Sequence, residues 1–292
     1  MTSEMDLLSL VLTLRPVPGA DPAAPPWWGR AAHALLLDVF HRADPALAAK
    51  LHVGDGPRPV TASSLLGRFP GASLDPDGAY VLRFTALQPL VAGILWQAAE
   101  SAGGALAPGA QVDLDHHPFR IESVAASPEA HPWAAAGSYA ELAATQLVAA
   151  EPAGRQITLL FTSPTAFKSQ ERHVPIPLPG LVFGSLVERW NAFSTVAFPA
   201  ETKRYAEECL AVSRYELATR PVAGKQGGLR VGAVGQITYV TLNYDRYWMS
   251  VLHTLASFAL FSGAGAGTAM GLGQCRQVEI GRERVPPPAD AG

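Results

Sequence analysis

The sequence predicts an α+β protein made of two tandem ferredoxin-like domains, each with the element order βαββαβ, and a glycine-rich loop near the C-terminus. Three observations lead to this prediction. Apolar runs typical of strands alternate with segments of helical periodicity, the same order of elements occurs twice in 292 residues, and a Glu-Pro-Ala-Gly-Arg segment at 151–155 separates the two cycles. We predict domains at 1–150 and 151–284, followed by a disordered tail at 285–292.

The first domain begins with an apolar run of strand type, followed by a proline-rich loop and a helix. The Asp44-Pro45 pair ends that helix and starts a short one that reaches Lys50. The predicted strands and longer helices are Leu7–Leu14, Trp28–Phe40, Ala79–Thr85, Pro89–Ser101, Val112–Leu114 and Phe119–Ala125, of which Trp28–Phe40 and Pro89–Ser101 are helical. Several glycines and prolines after Lys50 indicate a loop that presents His52 and Arg58 close together.

The second domain repeats this order after Ser127–Pro152, a stretch with little pattern that is predicted as a connection. Its predicted strands are Gln156–Thr162, Cys209–Leu217, Gly235–Leu242 and Arg276–Ile280, and its helices are Val182–Phe193 and Tyr247–Phe261. The segment RPVAGKQGGLR at 220–230 predicts a flexible, basic hairpin between the second and third of these strands.

The charge of the whole chain conceals a difference between its halves. A formal net charge of -3, with 16% charged residues, argues by itself against a protein coated in basic surface for nucleic acid. Residues 1–154 hold 8 Lys and Arg against 15 Asp and Glu, whereas residues 155–292 hold 14 against 10, so the balance changes from -7 to +4. The second domain is therefore the candidate for binding a nucleic-acid backbone.

Cysteine content and hydropathy exclude several further classes of protein. Two cysteines, Cys209 and Cys275, are too few for a disulfide framework or a four-ligand zinc site, and we expect neither a metal nor another cofactor. The N-terminus lacks the basic flank and cleavage site of a signal peptide. The most apolar run, Trp248–Phe261, is shorter than the about 20 residues that a membrane-spanning helix needs. We therefore predict a cytoplasmic protein that does not bind a membrane.

The most specific motif is the run GAGAGTAMGLGQCR at 263–276, which follows a long apolar helix and precedes a strand. Glycines there would let backbone amides face outward and approach a phosphate closely. The run is not a Walker loop, because Thr268-Ala269 follows Gly267 where Lys-Ser or Lys-Thr is required. It is not a dinucleotide fingerprint either, because the third glycine and the strand-to-helix order are missing. A purely structural glycine loop is the alternative interpretation.

In its helix-loop-strand context this run resembles the glycine-rich signature of CRISPR-associated RAMP proteins, and it is most similar to that of the Cas6 family of CRISPR repeat endoribonucleases. Weaker pieces of the same pattern occur in order along the chain: Gly29-Arg30-x-x-His33, Asp44-Pro-x-Leu-Ala48 with Leu51-His52, Pro59-Val-Thr-x-Ser63, and Phe161-Thr-Ser-Pro164-Thr-Ala-Phe167. The resemblance implies tandem RRM-like RAMP domains, metal-independent cleavage of the CRISPR repeat in precursor RNA, and in many members continued hold on the product.

RNA can be cut without a metal ion because its 2'-hydroxyl is an internal nucleophile. Cleavage then needs a base, an acid, and donors that stabilise the phosphorane. Histidine suits both proton roles, since its unperturbed pKa is about 6.5. His52 matches the Leu-His position of the resemblance, while His33 and Arg30 are three residues apart on one helix face. We predict His52 and His33 as the acid-base pair, in either assignment, with Arg30 and Arg58 stabilising the phosphorane.

The residues predicted to bind RNA lie in the basic second domain and share either a positive charge or a place in the glycine-rich run. They are Lys168, Arg172, Arg220, Lys225, Arg230, Gly263, Gly265, Gly267, Thr268, Gly271, Gly273 and Arg276. His173 lies among basic neighbours and is a further candidate. The alternative for the cations is a solvated hairpin without a ligand.

These expectations combine into one function with two alternatives. The expected reaction gives a 2',3'-cyclic phosphate and a 5'-hydroxyl, and the expected partner is CRISPR repeat RNA folded as a stem-loop. Subunits of a CRISPR effector complex and a second copy of the chain are further candidate partners. The first alternative is a non-catalytic RAMP-type RNA-binding subunit of such a complex. The second is a nucleotide-binding enzyme that uses the glycine run.

Overall fold

The structure is a computed structural model that describes residues 5–19, 21–53, 56–223 and 228–279. These residues form two compact units. The first comprises the described residues up to Gly137 together with Ala269–Gly271, and the second those from Ser138 to Thr268 and from Leu272 onward. The division lies earlier than the predicted joint at 150/151, because a helix that begins at Tyr139 packs in the second unit, where the Tyr139 ring lies 4.9 Å from that of Trp190.

The first unit contains one antiparallel sheet and three helices. In chain order its elements are β1 (Leu7–Pro16), α1 (Gly29–Ala43), α2 (Pro45–Val53), β2 (Val60–Ala62), a 3-10 turn (Pro70–Ala72), β3 (Tyr80–Ala86), α3 (Pro89–Glu100), β4 (Gln111–Leu114), β5 (His117–Ala125) and β6 (Ala135–Gly137). The strand order is β2-β3-β1-β5-β4, and β6 pairs with the start of β1. With β1, β2, β3 and β5 as its four strands, this is the predicted ferredoxin-like arrangement.

Apolar packing explains why β1 is an almost unbroken apolar run. Both of its faces are covered, so the strand needs no alternation of polar and apolar residues. On one face its leucines join Phe40 of α1 and Phe84 of β3 in a single buried cluster, to which the strand contributes Leu8, Leu10, Leu12 and Leu14. The cluster fixes α1, the helix that carries two of the predicted site residues, against the sheet.

The second unit has the same strand order as the first. Its elements are α4 (Tyr139–Leu147), β7 (Gln156–Thr165), β8 (Phe167–Ser169), β9 (Arg172–Val174), α5 (Pro179–Phe193), α6 (Glu201–Cys209), β10 (Leu210–Ala223), β11 (Leu229–Thr241), α7 (Arg246–Ser262) and β12 (Cys275–Gln277). The sheet runs β10-β11-β7-β12 with antiparallel neighbours throughout, and β8 and β9 form a separate hairpin. The α+β fold class with two ferredoxin-like units is thus confirmed.

Six strands and helices among the described residues were not predicted from the sequence, namely β2, β6, α4, β8, β9 and α6. The segment predicted as a loop after His52 contains the short strand β2, and the stretch predicted as a connection contains β6 and α4. Helix α4 begins with a capping box, in which Ser138 Oγ accepts from the N–H of Glu141 and the Glu141 carboxylate accepts from the N–H of Ser138. Lys225, Ile280 and the predicted tail at 285–292 lie outside the described residues.

Candidate active site and RNA-binding surface

The candidate active site lies in the first unit, where α2 follows α1 after a single residue. The backbone N–H of Asp44 donates to Phe40 O (2.7 Å) and ends α1. The Asp44 carboxylate then accepts from the N–H groups of Ala46 (2.9 Å) and Leu47 (3.0 Å), which caps the start of α2. This double role lets the chain reverse within one residue, so the two helices pack directly against each other.

His33 is the buried polar side chain of α1. Its side chain is only 8% exposed, and among the described residues its Nδ1 has no hydrogen-bond partner. Burial, reinforced by the positive charges of Arg58 and His52, lowers the pKa of His33 from 6.5 to about 4. The imidazole is therefore neutral at pH 7 and offers an unprotonated nitrogen.

Arg58 is held by the end of α2. Its guanidinium donates to the backbone carbonyl of Leu51 and, over 3.1 Å, to that of His52. Carbonyl groups at a helix C-terminus lack partners within the helix, and they attract a cation. The sequence predicted that Arg58 and His52 lie close together, and the structure places them in contact through this bond, with the His52 side chain exposed.

The structure therefore brings three of the four predicted catalytic residues into one electrostatic neighbourhood: His33, His52 and Arg58. The fourth, Arg30, is exposed on α1 one turn before His33. Such a group can supply a neutral base, a second imidazole and two guanidiniums, which is the set that metal-free transesterification of RNA needs. Among the described residues, no three His, Cys, Asp or Glu side chains cluster as metal ligands would.

The first turn of α1 is braced by residues that the sequence analysis did not connect. Trp27 Nε1 donates to Met270 O (3.0 Å), and the N–H of Gly271 donates to Ala62 O (2.9 Å). A Cβ atom on Gly29 would overlap the carbonyl oxygen of Met270, so only glycine fits at this position. Residues Ala269–Gly271 thus hold the start of the helix that carries Arg30 and His33.

The glycine-rich run differs from the expected phosphate cradle. All five of its glycines have positive φ, from 59° to 86°. The N–H groups of Gly263, Gly265, Gly271 and Gly273 donate to protein oxygens, of which the Ser185 hydroxyl and the carbonyl of Pro164 are examples. The glycines are therefore needed for the path of the chain itself, because other residues are strained at positive φ.

The remaining predicted members of the run have different surroundings. Gly267 is half-buried, and Thr268 is 4% exposed with its Oγ1 accepting from Arg189 Nη1 (3.2 Å). Arg276 is half-buried on β12, paired with Leu160 of β7. These residues shape the loop, and the exposed cations of the second unit lie elsewhere.

Three exposed cations of the second unit, Lys168, Arg172 and Arg230, lie on its two hairpins, β8–β9 and β10–β11. Lys168 and Arg172 are exposed on the β8–β9 hairpin, and Lys168 pairs with His173 across it. Burial and the positive charges of Arg230 and Lys168 lower the pKa of His173 from its ordinary value, so these groups lie close together. A pocket is lined by His173 and Arg230, one from each hairpin, and by apolar residues that include Val222 and Leu272.

The positions of the other predicted cations are less uniform. Arg220 is half-buried on β10, opposite Gly232 of β11. Lys225 falls outside the described residues. In the part of the chain that the structure describes, no helix combines the length and the apolar character needed to traverse a bilayer.

Comparisons with known proteins agree with this architecture. The family model of the CRISPR-associated endoribonuclease Cas6 matches residues 159–275. A CRISPR-associated endoribonuclease Cas6 of Mycobacterium tuberculosis is 33% identical over 130 residues, which are 44% of this chain and 40% of that relative's length. The chain thus matches less than half the length of this curated relative.

Solved structures match over almost the whole chain. A Cas6 product complex from Thermus thermophilus is 29% identical with a TM-score of 0.75, covering 93% of this chain and 100% of that one. A second Cas6 product complex is 26% identical with a TM-score of 0.74, covering 94% and 99%.

Two ferredoxin-like units with a glycine-rich segment before the last strand define the class of CRISPR-associated RAMP proteins. The expected resemblance is confirmed within that class. Residues 159–275 match the Cas6 family model, and the fold of almost the whole chain is similar to that of solved Cas6 structures.

Proposed function

We propose that this protein is an endoribonuclease that cleaves the repeat of CRISPR precursor RNA to mature guide RNAs, without a metal ion. The observation that carries the proposal is the neutral, buried imidazole of His33 beside the cations Arg58 and His52. The match of residues 159–275 to the Cas6 family model supports it, as does the likeness to two structures described as product complexes.

His33 acts as the general base in this proposal. Its neutral imidazole accepts the proton of the 2'-hydroxyl, and the freed oxygen attacks the adjacent phosphorus. A base with a pKa of about 4 is weak in the free protein. The approaching phosphates of RNA offset the positive charges of Arg58 and His52, which raises the pKa of His33 toward its ordinary value. The base is therefore strengthened only when the substrate is bound.

His52 acts as the general acid. Its exposed side chain donates a proton to the 5'-oxygen as the bond between phosphorus and that oxygen breaks. Arg58 and Arg30 stabilise the charge that develops on the phosphorane oxygens. One bond to phosphorus forms and one breaks, so the products carry a 2',3'-cyclic phosphate and a 5'-hydroxyl, and no water or metal ion enters this step.

The exposed cations on the two hairpins of the second unit hold the RNA. Lys168, Arg172 and Arg230 form no ion pair with a carboxylate among the described residues, so they are available for phosphates. A repeat stem-loop is the ligand we assign to this surface. The cytoplasm is the compartment we assign, since Cys209 and Cys275 are free thiols in the structure. Effector subunits and a second copy of the chain remain candidate partners.

The experiment is cleavage of repeat RNA in excess EDTA, with the product ends identified by mass spectrometry. We expect cyclic-phosphate products, no cleavage of a substrate with a 2'-deoxy nucleotide at the cut site, and unchanged binding of that substrate. Cleavage that requires added metal would refute the mechanism. Tight binding without any cleavage by the wild type would instead favour the non-catalytic RNA-binding subunit.

A further inference from the structure

We infer that Arg189 is a positioning residue for the candidate active site: its guanidinium fixes the glycine-rich run whose residues Ala269–Gly271 hold the start of α1. The inference rests on the proposed function for its kinetic consequence. Its structural consequence, the burial of His33, can be measured without any cleavage.

Arg189 lies on α5 and points into the glycine-rich run. Its Nη1 donates to Thr268 Oγ1 (3.2 Å), and its Nη2 donates to the carbonyl of Gly265. Its Nε is buried and, within the described residues, has no hydrogen-bond partner. In the same part of the chain no carboxylate forms an ion pair with it. The guanidinium thus donates hydrogen bonds to two uncharged oxygens of one loop, Thr268 Oγ1 and the carbonyl of Gly265.

The burial of the Arg189 guanidinium is unfavourable for the stability of the fold. Removing a guanidinium from water is unfavourable unless a carboxylate and a full set of hydrogen bonds compensate, and Arg189 has neither. An apolar side chain at the same position would pack without that penalty. What the arginine provides instead is geometry, because its planar fork fixes two groups three residues apart in the run.

The fixed groups determine the path of the loop. The Cγ2 methyl of Thr268 fills the space that a Cβ atom would need at Gly263 and at Gly273, at 3.0 and 2.9 Å, so Thr268 packs between the two ends of the run. Holding Thr268 therefore holds both ends. The next residue begins the segment Ala269–Gly271.

The segment Ala269–Gly271 contacts the start of α1, the helix that carries Arg30 and His33. The Met270 carbonyl accepts from Trp27 Nε1 and abuts Gly29, so its position sets where α1 begins. Arg30 is the next residue and His33 follows one turn later. A shift of the loop would therefore move the base and one of the phosphorane donors, and displacements of about 1 Å can reduce a catalytic rate about a hundredfold.

The test compares Arg189→Met and Arg189→Lys with a control, Arg204→Met, in which an exposed arginine of the same unit is replaced. Single-turnover cleavage and the Kd for a non-cleavable 2'-deoxy repeat are measured for each. We expect Arg189→Met to slow cleavage about tenfold to a hundredfold with Kd changed less than about twofold. Arg189→Lys should recover part of the rate, because an ammonium can still donate to one of the two oxygens.

An NMR titration of the His33 imidazole gives a readout independent of cleavage and is made on variants shown to be folded by circular dichroism. We expect its midpoint to rise from about 4 toward 6.5 in Arg189→Met and to stay unchanged in Arg204→Met. An unchanged midpoint in folded Arg189→Met, or a rate no lower than that of Arg204→Met, overturns the inference. If the midpoint shifts in Arg189→Met but the wild type itself cleaves no repeat RNA, the positioning role is supported and the proposed function is refuted.

Discussion

The two units have the same strand order but use a buried histidine in opposite ways. His33 of α1 and His253 of α7 are each 8% exposed. His253 is bonded on both ring nitrogens, Nε2 to Gly154 O (2.9 Å) and Nδ1 to the side chain of Gln277 (3.1 Å). His33 has no partner for Nδ1 among the described residues and lies beside two cations instead. Burial alone therefore does not distinguish a reactive histidine from a packed one; the unused nitrogen and its electrostatic surroundings do.

The cations of the two units differ in the same way. In the first unit Arg58 is tied to the end of a helix and acts on one imidazole. In the second unit Lys168 and Arg230 are exposed on its two hairpins. One fold thus carries both the proposed reaction site and the proposed binding surface, and the difference comes from side chains on shared elements.

The largest expected effect is that of replacing His33 by asparagine, with the same replacement at His253 as the control. His33→Asn should reduce the single-turnover cleavage rate about 10²- to 10⁴-fold, because a general base is lost. His253→Asn, made at a site of equal burial, should leave the rate within about threefold in protein that is folded by circular dichroism. Equal losses in the two variants would mean that His33 only packs.

Acid should destabilise the protein partly through His33. Its pKa is lowered from 6.5 to about 4 in the folded state, so the neutral form is favoured. The resulting stability is fully present above pH 6.5 and is lost as pH falls toward 4, an effect of about 3 kcal/mol in the free energy of unfolding. The pKa of His253 is also lowered, so acid destabilises the wild type and a His33 variant alike through His253.

Urea unfolding of wild type and His33→Gln at pH 7 and at pH 4.5 isolates this contribution. The contribution of His253 cancels in the difference between the two proteins. We expect the wild type to lose more stability on acidification than the variant does. Parallel losses would contradict the assignment of a buried, neutral His33.

Gly29→Ala tests the brace at the start of α1. The added methyl group overlaps the Met270 carbonyl, so we expect a loss of about 1–3 kcal/mol in the free energy of unfolding, with slower cleavage. The matched control is Gly93→Ala on α3, where a Cβ atom has nothing within 4 Å and where alanine favours the helix. If Gly29→Ala is as well tolerated as Gly93→Ala, the loop does not hold α1.

The smallest expected effect concerns the binding surface. Lys168→Ala and Arg230→Ala should each reduce the slope of log Kd against log salt by about 0.7–0.9, since one phosphate contact is lost. Arg204→Ala, in which the lost cation faces Glu208 at 4.0 Å, is the control and should leave the slope unchanged. Filter binding between about 50 and 200 mM salt measures all three.

Much of the fold could be predicted from the sequence because its signals are local. Alternating strand and helix patterns gave the element order, and β1 and α1 were found close to their observed bounds. The strand β2 was missed because Val60–Ala62 is short and lies among glycines and prolines. Helix α4 was missed although its signal, Ser138 followed by Glu141, is present in the sequence.

The residue types of the candidate site could be predicted from the sequence, but their burial and contacts could not. Motif spacing and the family resemblance select His33, His52, Arg30 and Arg58 as candidates, whereas the burial of His33 and its unpartnered Nδ1 arise only in the folded chain. The role of Arg189 was invisible for a similar reason, because its two oxygen acceptors lie more than 70 residues away in the chain. Long-range contacts of this kind leave no trace in a local pattern.

The three residues Ala269–Gly271 give the chain an order of assembly. The first unit is otherwise complete at Gly137, yet the segment that braces α1 is synthesised only after the second unit has been made up to Thr268. During translation, domains fold as they emerge, N-terminal ones first. The first unit therefore emerges from the ribosome with α1 unbraced, and this brace can form only after the chain has been synthesised through Gly271.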